Sequence, residues 1–175
     1  EAGVRRGDVA ATRLWDLAKF YETLCLDDLE QRCRDLSLCP QVTRLCIRAY
    51  RSPRFLNMAG YVSGPHHATH GFIAGCSMAT TFIRVYALPS LDKLSIPRSV
   101  AMDIFIDDYA VSSVGQPNTV VHDIIETSSQ LHLAICSEMK VKISMEKANL
   151  VCSHTLLAKQ VQSALGALAG PTHRM

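Results

Sequence analysis

Asp103-Ile104-Phe105-Ile106-Asp107-Asp108-Tyr109-Ala110-Val111 sets two adjacent carboxylates between two short runs of strand-forming residues. Ile104 and Ile106 on one side and Tyr109 and Val111 on the other are spaced by two, so the stretch reads as a β-hairpin with an acidic tip. Aspartate tolerates the backbone angles of a tight turn, and the bland alternative is a solvated turn with no chemistry. Two carboxylates side by side repel and are costly to desolvate, which makes a divalent cation a natural counter-charge. Which alternative holds depends on what the rest of the chain brings to this tip.

Upstream, Val9 to Asp16 reads as a strand ending in a carboxylate, followed by a turn that presents Phe20 and Tyr21. A strand end fixes an acidic side chain well enough for metal binding, with the Leu17 carbonyl as a further oxygen; a cap or turn role is the alternative. Leu29, Cys33 and Leu36 mark a helix behind an aspartate cap. A second helix follows Pro40, with Val42, Leu45, Cys46 and Ala49 expected inward. Its outer face carries Arg44, Arg48 and Arg51, with Arg54 just beyond, either a track for a phosphate backbone or a plain solvated face. His66, His67 and His70 lie in a polar loop whose nearest thiol, Cys76, has no partner at a zinc-ligand spacing. Small residues at Ala74, Gly75, Ser77 and Ala79 open a helix expected to end at Pro89. They leave room for close approach of a nucleic acid or a second backbone.

Downstream, Gly115-Gln116-Pro117-Asn118 reads as a turn and cap, and the next helix is expected to bury Val121, Ile124, Ile125, Leu131 and Ile135. Val141 to Cys152 alternates as two short strands about a bend at Glu146-Lys147, and Thr155 to Leu168 is an amphipathic helix stopped by Gly170-Pro171. The order of elements, with the inserted helices set aside, is β-α-β-β-α-β. That split pattern makes an α+β domain, an antiparallel sheet with helices packed on one face, ferredoxin-like in its core. It lays the end of the first strand beside the hairpin tip, so Asp16 is expected to meet Asp107 and Asp108.

Composition narrows the classes. With 175 residues, 48% hydrophobic and 19% charged, the chain can bury a sizeable core, and a net charge of +2 restricts any basic surface to a local patch. Seven cysteines without a C-x-x-C pair argue against a disulfide framework and a zinc ribbon. No apolar run is long enough to span a bilayer and no signal peptide is visible, so no membrane partner is expected and the protein is read as intracellular, in nucleus or cytoplasm.

These residues resemble the palm of a reverse transcriptase, most similar to those of retrotransposons lacking long terminal repeats. Asp16 to Tyr21 resembles the family's first palm motif, an aspartate followed five residues later by an aromatic. Phe105-Ile106-Asp107-Asp108 resembles its Tyr-x-Asp-Asp motif with Phe for Tyr. Gly71 to Thr81 resembles the Pro-Gln-Gly-Ser helix opening, with Ala74 where most members have Gln, and Lys142 to Cys152 resembles the later lysine-containing motif. The resemblance covers about Leu14 to Cys152.

It implies an RNA-directed DNA polymerase that joins deoxynucleotides to a primer 3′-hydroxyl on an RNA template. Asp16, Asp107 and Asp108 would bind two Mg2+ ions, with Mn2+ as a substitute, and Lys147 would donate a proton to pyrophosphate. Tyr21 would exclude a 2′-hydroxyl, and Phe20, Ala74, Gly75 and Phe105 would contact the nucleotide. The expected organisation is a single partial domain over 1–175, with a palm core over about 8–153 and a C-terminal helix over about 154–170. Fingers and thumb are absent and would be supplied by a longer parent polyprotein. The isolated chain is therefore expected not to extend a primer. The competing reading is an inactive retroelement remnant that binds nucleic acid or serves assembly.

Overall fold

The computed structural model of the chain describes residues 7–73 and 75–174. In chain order the elements are β1 (Val9–Asp16), α1 (Phe20–Thr23), α2 (Leu26–Asp35), α3 (Pro40–Arg51), β2 (Asn57–Met58), β3 (Tyr61–Val62), α4 (Ala79–Leu91), β4 (Val100–Phe105), β5 (Asp108–Gly115), α5 (Pro117–Leu133), β6 (Asn149–Cys152), α6 (Thr155–Leu165) and β7 (Thr172–Arg174). A π-helical turn extends α5 over Ala134–Glu138, and a 3-10 turn extends α6 over Gly166–Leu168. The chain divides into two compact units, Glu1–Ala18 with Ser90–Met175, and Lys19–Pro89.

The first unit is α+β. Its sheet runs β4-β5-β1-β6-β7, antiparallel except for the parallel pair β6 and β7. The split pattern places the first strand between the hairpin and the last strand of the motif, and β1 does lie between β5 and β6. One face of the sheet is apolar because the strands alternate. Val9, Ala11 and Trp15 of β1, Tyr109 and Val111 of β5, and Leu150 and Cys152 of β6 are all buried. Helices α5 and α6 pack on that side, contributing Val120, Ile124, Leu131, Leu157 and Val161 to the core.

Helix α5 begins with Pro117 at its first turn, where a missing N–H costs nothing. Its buried stripe departs from the aliphatic one expected. Val120, Asp123, Thr127 and Ser128 are buried with Ile124 and Leu131, while Val121 and Ile125 are only half-buried. Asp123 is tolerated because Ser99 and Ser113 both donate hydroxyl hydrogen bonds to its Oδ2, at 2.7 and 3.0 Å.

The C-terminal end is a second correction. The stop signal Gly170-Pro171 leads into β7, which makes the sheet mixed rather than purely antiparallel. Gly170 is at φ 63°, and a Cβ there would lie 2.5 Å from the Ala148 carbonyl oxygen, so only glycine lets the chain pass. The fully buried Arg13 holds this segment, donating from Nη2 to the Leu168 carbonyl at the C-terminal end of the 3-10 turn, where a cation is favoured. Its guanidinium also lies 5.1 Å from the centre of the Trp15 ring, and burial lowers its pKa to about 10.

The second unit is helical with one small hairpin. Helix α3 spans the predicted residues, but it buries Thr43, Ile47 and Tyr50, whereas Leu45 is 71% exposed. The rotation follows from aromatic packing: Tyr50 stacks on Phe72 at 5.3 Å and meets Phe82 edge-on at 6.1 Å. Helix α4 runs two residues past Pro89, which sits in its last turn.

Candidate functional site

The uncovered face of the first unit's sheet carries the acidic residues. Asp16 is the direct partner of Asp108 across β1 and β5, and Phe105 is the partner of Asp108 across β4 and β5. Strand alternation puts Leu14, Asp16, Asp103, Phe105, Asp108 and Ala110 on this face, opposite Trp15 and Tyr109. With Lys147 and Asn149 they line a hollow of about 400 Å3. Asp16 is fixed through its backbone on both sides: its carbonyl accepts from Ser144 N at 2.8 Å, and the next amide, Leu17 N, donates to the Asp107 carbonyl at 3.1 Å.

The hairpin closes in two residues, Ile106 and Asp107, since Phe105 pairs with Asp108. It is Ile106, not an aspartate, that takes the left-handed conformation, at φ 58°. A β-branched residue there is strained, and glycine is the usual choice at such a position. Asp107 is half-buried at the second turn position. Burial pushes the Tyr109 hydroxyl up to about 12, and the charge of Asp107 pushes in the same direction.

Lys147 Nζ lies 2.8 Å from Asp16 Oδ2 in an ion pair, with the lysine side chain 71% exposed and the aspartate 18%. The ammonium is held above the ordinary lysine range, chiefly by its hydrogen bond to Asp16 and that residue's charge, with Asp107 and Asp108 adding to the effect. Lys147 thus lies in the field of all three candidate carboxylates. Its turn is anchored by Lys147 N donating to the Ser144 carbonyl at 3.1 Å and by Asn149 Nδ2 donating to the Lys147 carbonyl at 2.7 Å. His173 of β7 lies 3.1 Å from Asn149 Oδ1 and supports that side chain in turn.

Asp16, Asp107 and Asp108 offer only oxygen donors, the chemistry Mg2+ and Mn2+ take, and two of them face each other across adjacent strands. By donor type they fit such an ion. Their expected close convergence is not observed. Among the described residues no group of three or more His, Cys, Asp or Glu side chains is arranged to hold a metal ion. The physical reason is local: Lys147 already supplies the counter-charge at Asp16, and Asp107 belongs to the turn rather than to the strand face.

The remaining candidates belong to the second unit. Phe20 is a core residue there, 2% exposed, so its ring is not free to touch a nucleotide. Tyr21 follows it in α1 and is half-buried. Gly75 is at φ 81°, and a Cβ added to it would meet nothing within 4 Å, so its side is open; Ala74 lies outside the described residues. Arg44, Arg48, Arg51 and Arg54 are exposed, but Arg51 pairs with Asp27 and, at 3.6 Å, with Glu30. Arg54 donates to the Tyr50 carbonyl at 3.3 Å. Half of the arginine track is thus engaged by internal partners.

Asp103, Asn149, Leu14 and Ala110, which also line the hollow, escaped the sequence reading. Asp103 had a signal, since it is two residues from Phe105 on the same strand and must share its face. Asn149 had none, because its role is to hold the Lys147 turn from a neighbouring strand.

No protein-family model and no curated protein matches this sequence. Two solved structures of telomerase from Candida tropicalis match in fold. The one in complex with the TWJ fragment of telomeric RNA superposes with a TM-score of 0.60 at 11% identity, covering 84% of this chain and 26% of that one. The apo enzyme truncated from its C-terminal domain gives 0.58 at 11% identity, covering 84% and 31%. The chain therefore spans about a third or less of the length of these telomerases, and what it shares with them is the fold over 84% of its own length.

Proposed function

We propose that the uncovered sheet face of the first unit is the palm site of an RNA-directed DNA polymerase, a reverse transcriptase of retrotransposon type. The observation that carries this reading is the register Asp16 opposite Asp108, with Asp107 in the adjoining strained turn and Lys147 on Asp16. The likeness in fold to telomerase supports it, and the retrotransposon relationship rests on the four sequence motifs. RNA is proposed as the template from the resemblance of those motifs; one of the telomerases is described in complex with an RNA fragment.

In this mechanism Asp16, Asp107 and Asp108 would hold Mg2+, which when bound would neutralise charge on the transferring phosphoryl group and lower the pKa of the primer hydroxyl. The chain's own residues do the rest. The backbone hydrogen bonds about Asp16 keep its carboxylate at the strand end, so positioning costs nothing at the moment of reaction. The Phe105 ring, 74% exposed beside Asp108, offers a stacking face to a base or sugar. Lys147 carries its proton at Nζ at the edge of the same hollow, where it would face an anionic leaving group.

The second reading is a catalytically silent module that binds nucleic acid. The ion pair on Asp16 and the lack of a converged donor set among the described residues favour it. The two are separated by scoring single deoxynucleotide additions to a primer annealed to RNA, with Mg2+ and with Mn2+, for a longer parent protein that carries fingers and thumb beside this palm and for its Asp107→Asn variant. Addition that disappears in the variant supports the polymerase. Addition retained in the variant, or absent from both, overturns it in favour of the binding module.

A further inference from the structure

We propose that Lys147 is a built-in counter-ion whose ammonium occupies the Asp16 carboxylate until a divalent cation displaces it, so that metal affinity is set by competition with the chain's own lysine. The inference rests on the metal-site reading above and concerns what happens at Asp16 before a metal arrives.

Three observations carry it. Lys147 Nζ is 2.8 Å from Asp16 Oδ2, an atom shut off from solvent, so the oxygen already has a cation against it. A divalent cation at that oxygen would repel the ammonium held against it and favour its departure. The tether is also built for exchange. The backbone of Lys147 is held by Ser144 and Asn149, while its side chain is mostly exposed and free to swing about a fixed base. A displaced ammonium stays at the mouth of the same hollow, beside Asp103 and Asp108, where an incoming phosphate would meet it.

The test is Mn2+ binding to the 175-residue chain, read as loss of the free-ion paramagnetic resonance signal, for wild type, Lys147→Gln, Lys147→Arg and Asp16→Asn. Exposed ion pairs carry modest energies, so Lys147→Gln should bind Mn2+ about two- to fivefold more tightly. Lys147→Arg, which keeps the charge, should remain near wild type, and Asp16→Asn should lose most of the binding. If Asp16→Asn binds as wild type does, the ion is not at Asp16 and the metal-site reading fails together with the competition. If Asp16→Asn loses binding while Lys147→Gln is unchanged or weaker, the metal site stands and the competition is overturned.

Discussion

Replacing Asp108 by asparagine should stabilise the fold while disabling the site. Asp16 and Asp108 are direct cross-strand partners, which puts their Cβ atoms about 5 Å apart. Two unit charges at that distance in water repel by about 0.8 kcal/mol. Favourable cross-strand pairs are worth roughly 0.2–1 kcal/mol and like charges directly opposite are destabilising, while Lys147 offsets part of the repulsion. Asparagine keeps the shape of Asp108 and removes the charge, so the gain should be about 0.5 kcal/mol. For a chain of this length that raises the melting temperature by about 1–2 °C. Thermal unfolding followed by circular dichroism, with a chelator and at low ionic strength, is sensitive enough to read it. In about 1 M salt the Debye length falls to about 3 Å and the gain should vanish. Addition of Mn2+ should stabilise wild type and not the variant, since a ligand stabilises only the state that binds it. A loss of stability at low salt, or a gain indifferent to salt, would refute the argument that opposed carboxylates strain this strand pair.

Tyr109→Phe tests the buried hydroxyl beside the hairpin, which has no hydrogen-bond partner among the described residues. Its folded pKa of about 12 exceeds the usual 10. The neutral form therefore stabilises the fold fully below pH 10, and that contribution of about 2–3 kcal/mol is lost as pH rises toward 12. The variant should lack that component of the alkaline decline, and equal declines in urea titrations between about pH 9 and pH 12 would contradict it. Gly170→Ala should cost about 2–4 kcal/mol, from a left-handed residue and a clash with the Ala148 carbonyl. Gly166→Ala, also at positive φ but in open space, should cost only about 1–2 kcal/mol. Urea midpoints in the reverse order would count against the packing described around Arg13.

Much of the first unit was legible because its strands obey period two and its turns carry their own signals. Asp16 at a strand end and the pair at a hairpin tip both follow from local pattern, and the split topology then brings Asp16 and Asp108 into register. What local pattern misses is decided at long range. Arg13 reads as a surface residue, yet it is in the core because a helical C-terminus 155 positions away supplies its acceptor. Asp123 reads as solvent-facing until Ser99 and Ser113, from other elements, turn it into a buried acceptor. On α3 the aliphatic stripe and the aromatic contacts compete, and Tyr50 with its two ring partners outweighs Val42 and Leu45. Charge alone could suggest Arg51 for phosphate, but not reveal that Asp27 and Glu30 claim it.

The first unit's sheet concentrates its costs at one end. A β-branched residue at φ 58° closes the hairpin, two carboxylates oppose each other across β1 and β5, and a phenylalanine ring stands mostly in water beside them. Each is unfavourable, by roughly 1–3 kcal/mol for backbone strain and less for the others. A glycine in the turn, a lysine or threonine at 108 and a polar residue at 105 would relieve all three without disturbing the buried face. That face is ordinary by comparison, with Trp15, Tyr109, Val111 and Leu150 well covered. The same strand therefore serves two ends by alternation: Arg13 and Trp15 point inward, Arg13 tying the C-terminal segment down, while Leu14 and Asp16 point outward to the hollow. Stability sufficient to hold an opposed acidic pair comes from the inward residues. This division is why substitutions at Asp16 or Asp108 should alter cation binding without unfolding the sheet, and substitutions at Arg13 or Gly170 should do the reverse.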